Sequence, residues 1–330
     1  MNKIDIENRD RSPLVSVIMS VYNEPPSWLH QSITSILEQT YTHLEFIIIV
    51  DNAPNITLID IIEKYAEDDK RIKFFINNEN KGLVYSLNRA LKYTTGEYIA
   101  RMDADDISHT NRLERQLKYL VKNNLNLIGS NVNLFTNNNI FYTTNKLITH
   151  KYLKIMLAKG TIGIVHPTFF ATKHLYESLN GYKNAIHAED KELLARVFCK
   201  GFKVGNTAEV LLDCRYNDRS ITKTNAIYVQ RMGRYITDMF NSCLSSGLYE
   251  FDYSFDKNLS ISQKEKENYN KAQKLMAQTR KAMNNKSYIK AVYHLINASI
   301  LSSSSLSIIK VNIILKYLKF REARELRNGS

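Results

Sequence analysis

Two apolar runs near the N-terminus constrain this chain more than any other feature. LVSVIMSV (14–21) and LEFIIIVD (44–51) are almost continuous in Val, Ile, Leu and Phe, without the polar alternation of a strand that has one wet face. Runs of this kind belong to parallel strands covered on both sides. Between them, Pro25-Pro26-Ser27 suits a turn, and a helix is expected from Trp28 to about Gln39 with Ser27 as its N-cap. The alternation continues with a helix over about 57–67, a strand RIKFFI (71–76), a helix from Gly82 to Tyr93 and a strand EYIARMD (97–103). A helix with Leu113, Leu117 and Leu120 on one face follows, then LNLIGSNVNLF. Connections this short imply a doubly wound α/β sheet, and such sheets bind ligands beyond the carboxyl ends of their strands.

After residue 140 the alternation loosens. Segments 164–171 and 203–216 read as strands, and Glu189–Lys200 as a helix. From about 222 the chain reads as mostly helical, and 262–327 divides into two or three helices near Asn284-Asn285 and at Ser302–Ser305. A chain of 330 residues is long enough for about two domains. The expected division is an α/β catalytic domain over 1–220 and a helical region over 221–330.

Charge sharpens that division. The chain has 45 Lys and Arg against 33 Asp and Glu, a net +12, which by itself fits nucleic acid, anionic membrane or phosphorylated ligands. Residues 1–256 hold 30 basic and 29 acidic side chains, whereas 257–330 hold 15 basic and 4 acidic, a balance of +11. Composition excludes other classes. With 44% hydrophobic residues the chain is no disordered polymer, and Cys199, Cys214 and Cys243 are too few for a disulfide scaffold and form no CxxC pair for a structural zinc. The start MNKIDIENRDRSP is too polar for a secretory signal. LSIIKVNIILKYLKF is too short and too lysine-rich to reach the ~20 apolar residues of a membrane span. A cytoplasmic protein is expected, one that at most lies on a membrane surface.

Three polar strand ends are the candidate site. Asp103, Asp105 and Asp106 place three carboxylates within four residues after an apolar strand, and an extended backbone would point Asp103 and Asp105 to the same side. Carboxylates that close either take up protons or share a cation, and Mg²⁺ or Mn²⁺ held jointly with a substrate phosphate suits an oxygen-only site. A bare DxD is equally a solvated acidic loop capping the next helix. Tyr22-Asn23 after the first strand offers a ring for stacking, and Asp51 after the second could accept from a base or ribose. Lys81-Gly82 at a helix start could approach phosphate through backbone N–H groups. Further on, Glu189 and Asp190 open a helix, where acids serve the helix dipole or, in a cleft, act as a general base. His166-Pro167 interrupts a strand and could line the same cleft.

Taken together, SVIMSVYN, IIIVDN, NKGLVYSLNRAL, GEYIARMDADD, the HPT segment and AEDKELLAR follow the order and spacing of family 2 glycosyltransferases. Over about 14–216 the chain resembles these inverting, nucleotide-sugar-dependent enzymes of the GT-A fold, most of all the single-addition type that builds capsule or lipopolysaccharide. The resemblance implies that Tyr22 and Asp51 hold the uracil or nucleoside. It implies that Asp103 lies near the ribose or metal, and that Asp105 lies on the metal and diphosphate, with Asp106 a frequent third acid. It makes Asp190 the catalytic base and sets Glu189 near the acceptor or donor sugar. The implied cofactors are Mn²⁺ or Mg²⁺ and a nucleotide-sugar donor, most naturally a UDP-sugar. The implied partner is a glycan or lipid-linked oligosaccharide acceptor, with an anionic membrane surface met through 257–330 and no nucleic acid.

Two departures stand out. Asp51-Asn52-Ala53-Pro54 replaces the DDGS of many relatives, and Gln230-Arg231-Met232-Gly233-Arg234-Tyr235 only loosely echoes the QxxRW of processive synthases. Two other readings compete. A haloacid-dehalogenase-type phosphatase also uses a DxD after a strand, but this one follows the fourth strand and has Ile107 two residues past its second Asp, where that class normally has Thr or Val. A nucleic-acid-binding protein would use the basic C-terminal region, where Tyr269, Tyr288, Tyr293 and Tyr317 interleave the lysines without a recognisable motif. In the last helix, Val311, Ile314, Leu315 and Leu318 form an apolar stripe that could face lipid or pack on a neighbouring helix.

Overall fold

The computed structural model describes residues 12–136, 139–217, 225–255 and 260–328. By its internal contacts the chain forms two units. One takes in residues up to 153 with 162–184 and 189–218; the other takes in 154–161, 185–188 and the chain from 219 onward. The boundary expected at 220/221 lies outside the described residues.

The first unit is built on β1 (Val15–Val21), α1 (Pro26–Leu37), β2 (Leu44–Val50), α2 (Ile56–Asp68), β3 (Ile72–Ile76), α3 (Leu83–Tyr93) and β4 (Tyr98–Asp103). There follow β5 (Ile107–Ser108), α4 (Arg112–Lys122), β6 (Leu127–Thr136), β7 (Asn139–Thr143), α5 (His150–Ala158, counted with the second unit from 154), β8 (Phe170–Thr172), α6 (Lys173–Ser178), α7 (Glu189–Cys199) and β9 (Val204–Arg215). The strands form one sheet in the order β3-β2-β1-β4-β8-β6-β9-β5, with β7 paired to β6. Its β3-β2-β1-β4 half is parallel, and the remaining pairings are antiparallel except β6 with β9.

Every residue of β2 and all but one of β1 are buried, as their apolar runs require when helices cover both faces. Ile33 and Ile36 of α1, Leu58 and Ile62 of α2 and Leu113 and Leu120 of α4 pack with them in one core. The register sets Val21 beside Val50, Val50 beside Ile76 and Ser20 beside Asp103. The polar residues after these strands therefore emerge in one row, at the point where the strand order reverses around β1.

Two local expectations change. Helix α1 begins at Pro26, which occupies its first turn, so Ser27 lies inside the helix and is not its cap. The strand expected over 164–171 is interrupted: His166–Thr168 forms a 3₁₀ turn and only Phe170–Thr172 pairs in the sheet. Pro167 has no N–H to donate to a ladder. The turn's carbonyls are met from α4 instead, where Arg112 Nη1 donates to the Pro167 carbonyl at 3.0 Å and Gln116 Nε2 to that of Thr168 at 2.8 Å.

At the opposite end of the sheet, Glu45 of β2 ties four segments together. Its carboxylate accepts from Ser16 Oγ at 2.7 Å, Lys73 Nζ at 2.9 Å, and Thr95 N at 2.6 Å and Oγ1 at 2.9 Å. Burial opposes its charge, yet these donors hold the carboxyl down at about 2 against its usual 4.5.

The second unit carries α8 (Ala226–Ser246), α9 (Gln263–Asn284), α10 (Tyr288–Leu301) and α11 (Ser303–Asn328). The breaks expected near Asn284-Asn285 and at Ser302 separate three helices. A capping box opens α9, in which Ser262 accepts from Glu265 N and Glu265 accepts from Ser262 N. Ala272 and Met276 of α9 pack with Ala298 of α10 in a small core of their own. In α11 the stripe read from the sequence is covered, with Leu318 buried and Val311, Ile314 and Leu315 half-buried.

Because the folded Glu45 carboxyl titrates below its unfolded value, its contribution is full above about pH 4.5 and is lost as the pH falls towards 2. Glu45→Gln should lower stability at neutral pH by about 1–3 kcal/mol. The gap from wild type in urea unfolding should narrow through that acid window.

Candidate active site

The DxD segment does not continue as a strand. β4 ends at Asp103, and Asp106 N donates back to the Asp103 carbonyl at 3.4 Å, so a turn and not an extended backbone gathers the acids. Even so, carboxylate oxygens of Asp103, Asp105 and Asp106 all lie within 4.8 Å of one another. Residues from the far side of the sheet hold this turn. Arg215, the last residue of β9, donates from its backbone to Asp106 Oδ1 at 2.8 Å and from Nε to the Asp105 carbonyl at 2.9 Å. Its guanidinium sits between the rings of Trp28 and Phe135, 4.7 and 4.5 Å from their centroids.

The three acids differ. Asp103 is gripped by Arg101 of the same strand, which reaches both carboxylate oxygens, Nη2 to Oδ1 at 2.5 Å and Nη1 to Oδ2 at 3.0 Å. Asp106 is buried against Cys214 and Arg215, and burial with the neighbouring acids pushes its carboxyl well above the usual range. Asp105 has no basic side chain within hydrogen-bond reach among the described residues. Burial, then the charges of Asp103 and Glu24, push its carboxyl up to about 7. A cluster of this kind fits a divalent cation: the ligands are hard oxygens, their separation suits a shared ion, and such an ion would offset the burial and mutual repulsion that raise the Asp105 carboxyl.

The other strand ends converge on the same row. Asp51 is buried and fully engaged with the protein. Its Oδ1 accepts from Asn77 Nδ2 at 2.6 Å and Lys81 N at 2.8 Å, and its Oδ2 from Gly82 N at 2.7 Å. It therefore fixes the loop that leads into α3. Gly82 stands there at φ +84° with open space where a Cβ would be, so conformation and not crowding requires glycine. The Lys81 ammonium pairs with Glu79. Tyr22 is 48% exposed, its carbonyl held by Asn52 Nδ2, and Asn23 Oδ1 accepts from Asn55 Nδ2.

Glu189 and Asp190 begin α7, where Asp190 Oδ1 accepts from Lys191 N at 2.6 Å. Burial, then Asp190, pushes Glu189 up to about 7, and burial also raises Asp190. Arg101 acts on both and Asp103 on Glu189, so the acids of α7 and of the DxD turn share one electrostatic neighbourhood. His166 belongs to it as well. Its Nδ1 is 3.8 Å from Glu189 Oε1, too far for a hydrogen bond, its Nε2 is 3.1 Å from the Tyr182 hydroxyl, and burial holds it neutral. Helix α7 is anchored beside this point by Glu192, which takes a forked bond from Arg196, while Arg196 also donates to the Leu179 and Gly181 carbonyls.

Four residues that surround the acids are not among the sequence candidates: Arg101, Arg112, Glu24 and Arg215. Arg101 sits in an apolar strand and Arg112 in a polar helical turn that reads as exposed, and a buried Arg is uncommon in either. Glu24 and Arg215 come from segments remote in sequence from the DxD. Only the IARMD context, with a basic residue two before the acid on the same strand face, hinted at Arg101.

The profile of "Glycosyl transferase family 2" matches residues 16–178. The chain is 32% identical over 220 residues to the O-antigen biosynthesis glycosyltransferase WbnJ of Escherichia coli, covering 66% of this chain and 85% of that one. It is 34% identical over 221 residues to the putative glycosyltransferase EpsE of Bacillus subtilis, covering 66% and 78%. Its fold is similar to that of S. aureus TarS 1-349 in complex with UDP-GlcNAc, with a TM-score of 0.55 at 14% identity over 87% of this chain and 91% of that one. The chain belongs to glycosyltransferase family 2 and is an enzyme of the GT-A fold.

Removing the Arg101 charge leaves the half-buried Asp103 carboxylate, and the acids around it, without their counter-charge. Arg101→Met should cost about 3–5 kcal/mol in urea unfolding. Arg101→Lys should recover only part of that, because one ammonium cannot reproduce the fork.

Proposed function

We propose that this enzyme transfers a single sugar, with inversion, from a nucleotide-sugar donor to a hydroxyl of a glycan or lipid-linked acceptor in the building of a bacterial surface polysaccharide. One observation carries the reading: Arg101, forked onto Asp103 of the DxD turn, also acts on Glu189 and Asp190 of α7, far away in sequence. The relatives support the setting, since WbnJ is named for O-antigen biosynthesis. The donor is a UDP-sugar on this reading, with its nucleoside beside Tyr22, Asn23 and Asp51 and its phosphates near Lys81-Gly82 and the DxD turn.

Asp105 and Asp103 would hold Mn²⁺ or Mg²⁺. Bound there, the cation supplies charge neutralisation for the donor diphosphate as it leaves. The chain's own residues do the rest. Arg101 pairs with Asp103 and aims it, Arg215 fixes the backbone of Asp105 and Asp106, and Asp51 presents the N–H end of α3. Asp190 accepts the proton of the acceptor hydroxyl as that oxygen bonds to the anomeric carbon and the bond to the diphosphate breaks. No covalent enzyme intermediate forms, so the single displacement inverts the centre and an α-linked donor gives a β-linked product. Glu189 and neutral His166 line the sugar side. The basic segment 257–330 holds the enzyme at the inner face of the membrane, where a lipid-linked acceptor is presented.

Asp190→Asn should abolish transfer while donor binding, read by calorimetry, survives; near-normal turnover in this variant would refute the assignment. Because Asp190 works ionised and burial raises it, the rate should fall as the pH drops, with an acid limb above the ordinary carboxylate range. A thermal-shift panel of nucleotide sugars with Mn²⁺ should show the largest rise with a UDP-sugar. Asp105→Asn should remove the metal-dependent part of that rise.

A further inference from the structure

Helix α10 is apolar on two opposite faces. Ala291 and Ala298 are buried, and Leu295 and Leu301 pack with Leu275 and Met276 of α9. On the other side Ile289, Val292, Tyr293, Ile296 and Ile300 recur at i, i+3, i+4, i+7 and i+11, which is one face of a helix. That face is uncovered: Ile289 is 88% and Ile300 78% exposed, and the other three are all more than half exposed. Within Tyr288–Leu301 the one residue of fixed charge is Lys290. Five large apolar side chains in a row on water call for an occupant.

Charge identifies it. Lys281, Lys286 and Lys290 before and within the helix, and Lys310 and Lys316 after it, are exposed, in a segment of 15 basic and 4 acidic residues. A second copy of the chain would bring another +11 against the first, which disfavours self-association. An anionic bilayer complements both properties at once. At ~1.5 Å per residue α10 is about 21 Å long, short of the ~30 Å of a hydrocarbon core, and no described helix is long and apolar enough to cross a membrane. The helix would therefore lie in the interface, apolar side chains among the acyl chains, Tyr288 and Tyr293 at headgroup level and lysines on lipid phosphates.

We infer that the Ile289–Ile300 face of α10 is a monotopic attachment site for anionic lipid, and that the stripe of α11 is not. The inference deepens the lipid-linked-acceptor reading, on which its biological purpose rests, but its test is independent of catalysis. The full-length protein should float with vesicles of phosphatidylcholine plus phosphatidylglycerol and stay behind with phosphatidylcholine alone. Ile289→Ser, Ile296→Ser and Ile300→Ser combined should cut recovery by about tenfold or more. Ile296→Trp, a milder change, should show a blue-shifted emission and quenching by brominated lipid with the acidic vesicles alone. Asp190→Asn should float like wild type, so loss of catalysis and loss of attachment are separately visible. Equal recovery with both vesicles, undiminished flotation of the triple variant, or an unshifted Trp emission would overturn the inference. So would concentration-dependent dimerisation abolished by the triple variant.

Discussion

The fork between buried Arg101 and half-buried Asp103 is the contact on which the arrangement of the site depends. An arginine 3% exposed is tolerable only if its charge is matched, and the match here lies two residues along the same strand. Burial works against the Arg101 charge, and Asp103, with Tyr182 and Glu189 behind it, outweighs that. Once fixed, the guanidinium becomes the common counter-charge for carboxylates that would otherwise repel one another. It lowers the cost of charge on Asp105, Glu189 and Asp190 alike. Arg112, also buried, donates from Nη1 and Nη2 to the Pro167 and Arg101 carbonyls, and burial lowers it to about 10.

Around this centre the loops are held by side chains that leave reactive groups free. Asp51 ties Asn77, Lys81 and Gly82 into one turn, Arg215 clamps the DxD turn, and Glu192 with Arg196 fixes the entry to α7. Sites carried on loops gain precision when neighbouring polar groups hold the backbone. The conspicuous acids therefore divide into two kinds. Asp51 and Glu192 are taken up by protein donors, whereas Asp105, Asp106, Glu189 and Asp190 all carry raised carboxyls.

Much of the parallel half was legible in advance. The runs of β1 and β2 allow no other packing, and Leu113, Leu117 and Leu120 mark the inner face of α4. What followed residue 140 was less legible because antiparallel and mixed pairing leaves no strict period. The HPT turn shows why: Pro167 breaks a strand pattern that its apolar neighbours otherwise support, and the compensating donors come from Arg112 and Gln116, some 50 residues earlier. In the helical region the stripe of α11 was visible, but that it is covered while the outer face of α10 is not depends on which helices pack together.

By itself the sequence determined the doubly wound core, the order of polar strand ends and the separation of a near-neutral part from one with a balance of +11. These follow from local apolar patterning and from counting charges, which need no knowledge of contacts. Tertiary structure alone decided that Arg101 is the hub, that Glu24 and Arg215 join the DxD turn, and that Asp51 is consumed in holding a loop. The physical reason is that a carboxylate's behaviour is set by the charges and donors brought within a few ångströms of it, and those come from anywhere in the chain.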